Sequence, residues 1–311
     1  MKTDQRTSAA GRHARFWRSL KIACLVLVGL GLVSCCVVDR MVTDAILHPK
    51  RKGTDAKVPA GMAERVFVMK DKVQLRAWMA RPEEKPLAVI FVLHGISDSK
   101  ATQAGTLDFL AKRGIVGIAP DFRAHGTSGG NTVTYGYVEK LDLSELRKAT
   151  EREFPDTPIG LWGTSYGGAV ALQAMGIDPE FDFAIIENTF ADLRDVARQQ
   201  VINHTSLPVA ELGPYFMDRA GKVAGFDPGK VSPENSMERI KVPVLHIHGR
   251  KDEIIPFEHG RRIARHAKVK SYRFVPIEKG THYQLRAGDP ARYTREVTRF
   301  LDRVTGQKQG P

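Results

Sequence analysis

The stretch Ile159-Gly160-Leu161-Trp162-Gly163-Thr164-Ser165-Tyr166-Gly167-Gly168 constrains this chain more than any other. It reads as a short buried strand, a sharp turn and the start of a helix, the turn having the form G-x-S-x-G. A serine at a tight strand-to-helix turn is lifted clear of the backbone, so that its hydroxyl faces a cleft. Such a turn presses neighbouring segments together, and a side chain two residues before or after the serine would clash. Gly163 and Gly167 remove the Cβ at both places. The helix that follows, carried by Ala169-Val170-Ala171-Leu172-Gln173-Ala174-Met175, points backbone N–H groups at the same spot, where they can hold an oxyanion. A motif this short also fits a glycine-rich turn in any α/β protein, so its meaning depends on the strand before it and the helix after it.

The chain has 311 residues, 42% of them hydrophobic, enough for a sizeable core. Once the N-terminal segment is set aside, roughly 260 residues remain, the size of one large α/β domain. The formal net charge is +12, and part of the excess lies before residue 22, in Lys2, Arg6, Arg12, Arg15, Arg18 and Lys21 against a lone Asp4. No basic run is interleaved with aromatics, which argues against a nucleic-acid partner. The three cysteines, Cys24, Cys35 and Cys36, all fall in the N-terminal apolar segment. The remainder therefore holds neither a disulfide nor a thiolate site.

Residues 1–21 form a basic leader, and residues 22–38 are almost wholly apolar until Asp39-Arg40 ends the run. Two readings of that run stand side by side. As an uncleaved transmembrane anchor it is short, and the positive-inside rule keeps the leader in the cytoplasm and the domain outside. As a secretory signal it has a basic n-region and an apolar h-region, and Leu32-Val33-Ser34-Cys35 looks like a bacterial lipobox whose Cys35 would be lipidated. Both tether the domain to a membrane on the extracytoplasmic, periplasmic side.

Residues 39–62 read as a charged linker punctuated by proline and glycine. Two strand-like runs, Glu64–Met69 and Gln74–Met79, are separated by Lys70-Asp71-Lys72 and read as an antiparallel pair at a sheet edge. Ala88–Leu93, Ile115–Pro120, the strand before Ser165, Ala184–Glu187, Val242–His248 and Ser271–Pro276 follow as further strands. Several are apolar without alternation, as strands buried on both faces should be. Helical patterns fall between them at Thr102–Lys112, Tyr137–Glu153, after Ser165 and at Phe257–Ala267. An amphipathic helix at Pro290–Val304 closes the domain, and residues 305–311 form a polar tail. Strands alternating with helices predict a mostly parallel central sheet with helices on both faces, spanning residues 63–304. Residues 190–241 carry no strand pattern. Helical spacing at Leu193–Ile202 and several prolines mark them as a small helical cap insert at the C-terminal edge of the sheet, where such pieces usually cover a site.

His94-Gly95 after a strand, the Asp121–Gly130 loop, Gly163–Gly167, His248-Gly249-Arg250-Lys251-Asp252 and Gly280-Thr281-His282 together resemble the α/β-hydrolase superfamily, in its esterase and serine-peptidase-like branch. The similarity spans about residues 64–304 with every signature turn in order. Ala124 stands where many relatives have glycine. The resemblance implies the α/β-hydrolase fold and a serine nucleophile that needs no cofactor.

Order in the chain assigns roles independently. A serine hydroxyl is a poor nucleophile until a base takes its proton, and the order serine, acid, histidine requires a histidine late in the chain. His259 and His266 lie in a predicted helix. His282 lies in a loop just after a strand, beside Gly280, and is the expected general base. The orienting carboxylate should end the preceding strand. Asp252 does so, with Glu253 as the neighbour to exclude and a helix N-cap as its competing role. Tyr166, following the nucleophile, supplies one oxyanion-hole N–H, and the resemblance implies that Ile96 supplies the other. His94 is expected to shape its turn, and His125 to be a hydrogen-bonder in its loop. His246 and His248 share a strand face without a third ligand at suitable spacing, so no metal is expected.

The expected function is hydrolysis of a carboxylic ester, thioester or amide through an acyl-enzyme on Ser165, the partner being a small acyl substrate. Acyl transfer and peptide hydrolysis use the same triad. A non-catalytic binding protein of the same fold is the reading from another class, and the intact Ser165, Asp252 and His282 argue against it.

Overall fold

The computed structural model describes residues 36–204 and 209–307. The chain divides into two units, residues 1–45 and residues 46–311. In the first, the described residues 36–45 are helical. No helix among the described residues is long and apolar enough to cross a membrane. The basic leader and the apolar run expected to form an anchor or lipoprotein signal lie outside the described residues, apart from Cys36-Val37-Val38.

The second unit is built on one eight-stranded sheet in the order β1-β2-β4-β3-β5-β6-β7-β8. Its strands are β1 (Met62–Val68), β2 (Gln74–Ala80), β3 (Ala88–Leu93), β4 (Ile115–Pro120), β5 (Ile159–Thr164), β6 (Phe183–Glu187), β7 (Val244–Gly249) and β8 (Tyr272–Ile277). β1 and β2 pair antiparallel, as do β2 and β4, and every other pair is parallel. The helices are α1 (Ala104–Ala111), α2 (Glu139–Glu153), α3 (Tyr166–Met175), α4 (Leu193–His204), α5 (Leu212–Ala224), α6 (Pro233–Met237), α7 (Phe257–His266), α8 (Leu285–Gly288) and α9 (Pro290–Thr305).

The unalternating apolar strands follow from two buried faces. Successive side chains point to opposite sides of a strand. Val89, Phe91 and Leu93 of β3 pack with Leu143 and Leu146 of α2, Val170 and Leu172 of α3 and Ile263 of α7. Ala88, Ile90 and Val92 pack on the other face with Leu107 and Leu110 of α1 and Val297, Phe300 and Leu301 of α9. A third apolar cluster joins α4 and α5 to the domain through Phe190, Leu193, Met217 and Phe226, and Leu47 is fully buried in it. Although Leu47 falls within the stretch read as a linker, its carbonyl accepts from Val133 N–H at 3.0 Å.

Several helices depart from the sequence expectation, among them the short α6 and α8, which have no helical pattern of their own. The pattern at Thr102–Lys112 becomes a short 3₁₀ turn, Lys100–Gln103, followed by α1. Helix α5 has no counterpart among the helical patterns of the sequence, and Gly213, Pro214 and Gly221 lie within it. Pro214 falls in the first turn, where its missing N–H costs nothing. Gly213 lies so close to α4 that a Cβ on it would stand 2.3 Å from the Ala197 carbonyl oxygen.

Strand order reverses at β3 and β5, because the chain leaves β3 toward β4 and leaves β5 toward β6. A crevice opens at the carboxyl ends of strands at such a switch point. On one side of it, the loop after β3 is fastened to the loop after β4 by the buried pair Lys100 and Asp121. Lys100 Nζ donates to Asp121 Oδ2 at 2.5 Å and to Thr127 Oγ1 at 2.7 Å. Asp121 also accepts from the N–H groups of Lys100 and Thr127 at 2.7 and 2.8 Å. Their side chains are 3% and 0% exposed. Replacing Lys100 by Met leaves a buried, unpaired carboxylate, a change that costs about 3–5 kcal/mol. The melting temperature of the Lys100→Met protein should fall by roughly 10 °C, measured by differential scanning calorimetry.

Candidate active site

The site begins at the turn between β5 and α3. Ser165 adopts φ 55° and ψ −117°, outside both helix and strand. A Cβ on Gly163 would stand 2.5 Å from the Gly167 carbonyl carbon, and one on Gly167 would stand 2.4 Å from the Leu93 carbonyl oxygen. Only glycine fits either position, which is the mechanical reason for the G-x-S-x-G spacing. Ser165 N–H donates to the Glu187 carbonyl at 2.8 Å, and the Ser165 carbonyl accepts from Thr189 Oγ1 at 2.7 Å.

The three side chains nominated by sequence order meet in one hydrogen-bonded chain. His282, in the loop after β8, has Nε2 at 3.1 Å from Ser165 Oγ. Its Nδ1 lies 2.8 Å from Asp252 Oδ2. With Nδ1–H donating to the carboxylate, Nε2 is left as an acceptor for the serine hydroxyl. Asp252 Oδ1 accepts from the N–H groups of Ile254 and Ile255 at 2.9 and 2.7 Å. The carboxylate thus orients a turn and an imidazole. It does not cap α7, whose N-cap residue is Pro256. Ser165 and His282 are 8% and 9% exposed.

Tyr166 opens α3, so its N–H lies in the first turn, where helices leave such groups without an internal acceptor. Ile96 is in the loop after β3, next to Gly95, where a Cβ would stand 3.8 Å from that of Ser165. Among the described residues neither N–H has a protein acceptor.

The other histidines are structural in geometry. His94 Nδ1 donates to the Gly95 carbonyl at 2.7 Å, and its Nε2 accepts from Phe122 N–H at 3.1 Å. His125 does the same with the Arg123 carbonyl at 2.8 Å and Ser97 N–H at 3.1 Å. These two rings tie the loop carrying Ile96 to the loop after β4. His246 Nδ1 lies 2.8 Å from the Tyr272 hydroxyl, and His248 Nε2 donates to the Ile255 carbonyl at 2.9 Å. Among the described residues no group of three or more His, Cys, Asp or Glu side chains is placed to hold a metal.

Sequence reasoning missed three supports: the Lys100–Asp121 pair, Thr189 and Asn188. Each immediately follows a buried strand or sits in the loop after one. A polar residue directly after an apolar strand at the sheet's C-terminal edge is the signal that marks Asp121 and Asn188, whereas Lys100, seven residues past β3, carries no such signal.

Fold and site together define a doubly wound α/β scaffold carrying serine, histidine and aspartate at its carboxyl edge. The chain has the α/β-hydrolase fold. Residues 84–211 match the family described as serine aminopeptidase, S33 (Hydrolase_4), a stretch that includes Ser165 and ends before Asp252 and His282. The chain is 26% identical over 240 residues to the uncharacterized protein YqkD of Bacillus subtilis, covering 74% of this chain and 76% of that one. It is 24% identical over 212 residues to the lysophosphatidylserine lipase ABHD12 of Xenopus tropicalis, covering 63% of this chain and 52% of that one. Among solved structures, the Pyrococcus furiosus esterase Pf2001 superposes with a TM-score of 0.67 at 24% identity, over 83% of this chain and 98% of that one.

Burial holds several imidazoles neutral. His125 is pushed down to about 3, first by desolvation and then by the neighbouring His94, and His259 is pushed down to about 4 by desolvation and Arg262. An unfolded histidine titrates near ~6.5, so below that pH the unfolded chain binds more protons and stability falls until the folded value is reached. Each such histidine contributes a slope of about 1.4 kcal/mol per pH unit in that window. His125→Gln should therefore flatten the loss of stability between roughly pH 6 and pH 4 by about that slope, relative to wild type, in urea titrations at several pH values.

Proposed function

We propose that this chain is a serine hydrolase of carboxylic esters, with thioesters and amides as related substrates. One observation carries the reading: Ser165 Oγ, the His282 ring and the Asp252 carboxylate stand in series at 3.1 and 2.8 Å, with the histidine tautomer fixed by the acid. His282 Nε2 takes the Ser165 proton as Oγ attacks the acyl carbon, and the carbonyl oxygen becomes an oxyanion. The N–H groups of Tyr166 and Ile96 would receive that charge. His282 then returns the proton to the leaving alcohol as the C–O bond breaks. A water, deprotonated by the same imidazole, releases the acid from the acyl-enzyme. Asp252 stabilises the imidazolium in both halves. Besides the substrate, these steps use the chain's own residues and one water.

The neighbours are consistent with this reading. One solved structure is an esterase and one relative is a lysophosphatidylserine lipase, while the matching family is described as a serine aminopeptidase. Acyl transfer would use an alcohol or amine in place of water at the same residues. We also propose that the domain is tethered to a membrane through residues 1–38, on the extracytoplasmic side, because a basic leader precedes the apolar run.

Ser165→Ala should abolish labelling by a fluorophosphonate probe and lower p-nitrophenyl ester turnover by roughly 10⁴-fold or more, with the fold intact by circular dichroism. Labelling that persists in that variant, or moves to Ser97 or Ser128, would overturn the assignment. Asp252→Asn can hold the imidazole in the wrong tautomer and should cost up to ~10⁴-fold in kcat, whereas Glu253→Gln should change little. The reverse pattern would move the acid by one residue. Full-length protein should sediment with membranes, and mass spectrometry of the mature N-terminus should find either a diacylated Cys35 or an intact leader. Recovery in the soluble fraction with the leader intact would remove the tether.

A further inference from the structure

The tripeptide Glu187-Asn188-Thr189, where β6 ends, touches every arm of the candidate site. Glu187 accepts the Ser165 N–H, and the Thr189 hydroxyl holds the Ser165 carbonyl. Asn188, between them, is fully buried with φ 43°. Its N–H donates to the Ile247 carbonyl on β7 at 3.1 Å. Its side-chain oxygen accepts from Gly249 N–H at 2.9 Å, just before the Asp252 turn. Its Nδ2 donates to the carbonyls of Thr281 and His282 at 3.0 and 3.1 Å.

We propose that Asn188 is a positioning residue that sets the reach of His282 toward Ser165 by locking the loop of the base to the strand ends that carry the nucleophile and the acid. This rests on the reading of Ser165, His282 and Asp252 as the catalytic set. The chemistry demands an amide. One side chain must present an acceptor to Gly249 and two N–H donors to adjacent carbonyls, and only Asn or Gln carries both. An aspartate of the same shape would aim a carboxylate oxygen at two carbonyl oxygens. The left-handed backbone is one that asparagine tolerates better than most residues with a Cβ, and it turns the side chain back across the strand ends. The Gly249 and Gly280 backbones already touch, since a Cβ on Gly249 would stand 2.3 Å from the Gly280 oxygen. That contact fixes the start of the base loop, and Asn188 fixes the two residues that present the ring.

The test uses the full chain and two variants. Asn188→Gly keeps the left-handed backbone and removes the amide, while Asn188→Asp keeps the volume and reverses the two donors. Fluorophosphonate titration gives the concentration of active sites, so kcat is counted per competent enzyme. A lost positioning contact should lower kcat for p-nitrophenyl acetate by roughly 10- to 100-fold while KM stays within about twofold, because an imidazole displaced by a fraction of an ångström still leaves the binding surface in place. Asn188→Asp should recover activity relative to wild type as pH falls, since the protonated acid can donate to one of the two carbonyls. Asn188→Gly folding with wild-type kcat, or losing only in KM, overturns the proposal. So does an Asn188→Asp ratio that is flat with pH, which also answers the question if the glycine variant does not fold. Wild-type protein that takes no fluorophosphonate at Ser165 overturns the catalytic reading itself, a result distinct from either variant's behaviour.

Discussion

The contact on which the rest depends is the one between Gly167 and the end of β3. The α3 backbone passes so near the Leu93 and His94 carbonyls that a Cβ on Gly167 would lie 2.4 and 2.7 Å from them. A helix can follow a central strand this closely only if its first turn carries no side chain on that side. The approach puts Ser165 at the crevice between β3 and β5, where the connections leave in opposite directions. The same approach brings the first N–H groups of α3 and the loop of Ile96 to one place. The hydroxyl, the helix end and the β3 loop are therefore consequences of one steric fit.

Around that fit, the loops are fastened mostly by neutral groups. His94 and His125 each spend one ring nitrogen as donor and the other as acceptor, and the Asn188 amide is used on both sides. A neutral group with both functions satisfied loses little on leaving water, whereas a buried charge loses several kcal/mol unless its partner is well placed. The Lys100–Asp121 pair, like Asp252, is a charged fastener near the crevice, and the Asp121 carboxylate meets the second requirement with two backbone N–H groups besides the lysine. The imidazoles can serve as fasteners because burial keeps them uncharged, which is the same reason acid should loosen them.

The order of strands and helices was legible because buried parallel strands leave continuous apolar runs, and Ala88–Leu93 and Ile115–Pro120 were readable to the residue. Ser165, Asp252 and His282 were legible because each follows a strand in the order the chemistry requires. What escaped the sequence depends on contacts distant in the chain. Nothing local tells that Lys100 will be buried on Asp121, or that the Asn188 amide will span to residue 282. Helix α5 escaped for a related reason: Gly213 breaks a helix in isolation, but here it is what lets α5 lie against the Ala197 carbonyl. Local propensity and tertiary packing gave opposite answers there, and packing prevailed.

Backbone strain is distributed along the same edge. Ser97, Ala124, Ser165 and Asn188 all have positive φ without being glycine, at 57°, 59°, 55° and 43°. They follow β3, β4, β5 and β6 respectively, so four adjacent central strands each end in a turn that L-residues disfavour. Such conformations cost on the order of 1–3 kcal/mol each and persist only where the surroundings over-determine them. The surroundings do so here: Ser97 N–H is held by His125, Ala124 N–H by the Gly129 carbonyl, Ser165 by Glu187 and Thr189, and Asn188 by β7 and the His282 loop. The strands cannot relax these turns individually, because each turn is tied to its neighbour across the crevice. A sheet buried on both faces can carry that strain, and it yields loops whose polar groups hold fixed positions relative to one hydroxyl.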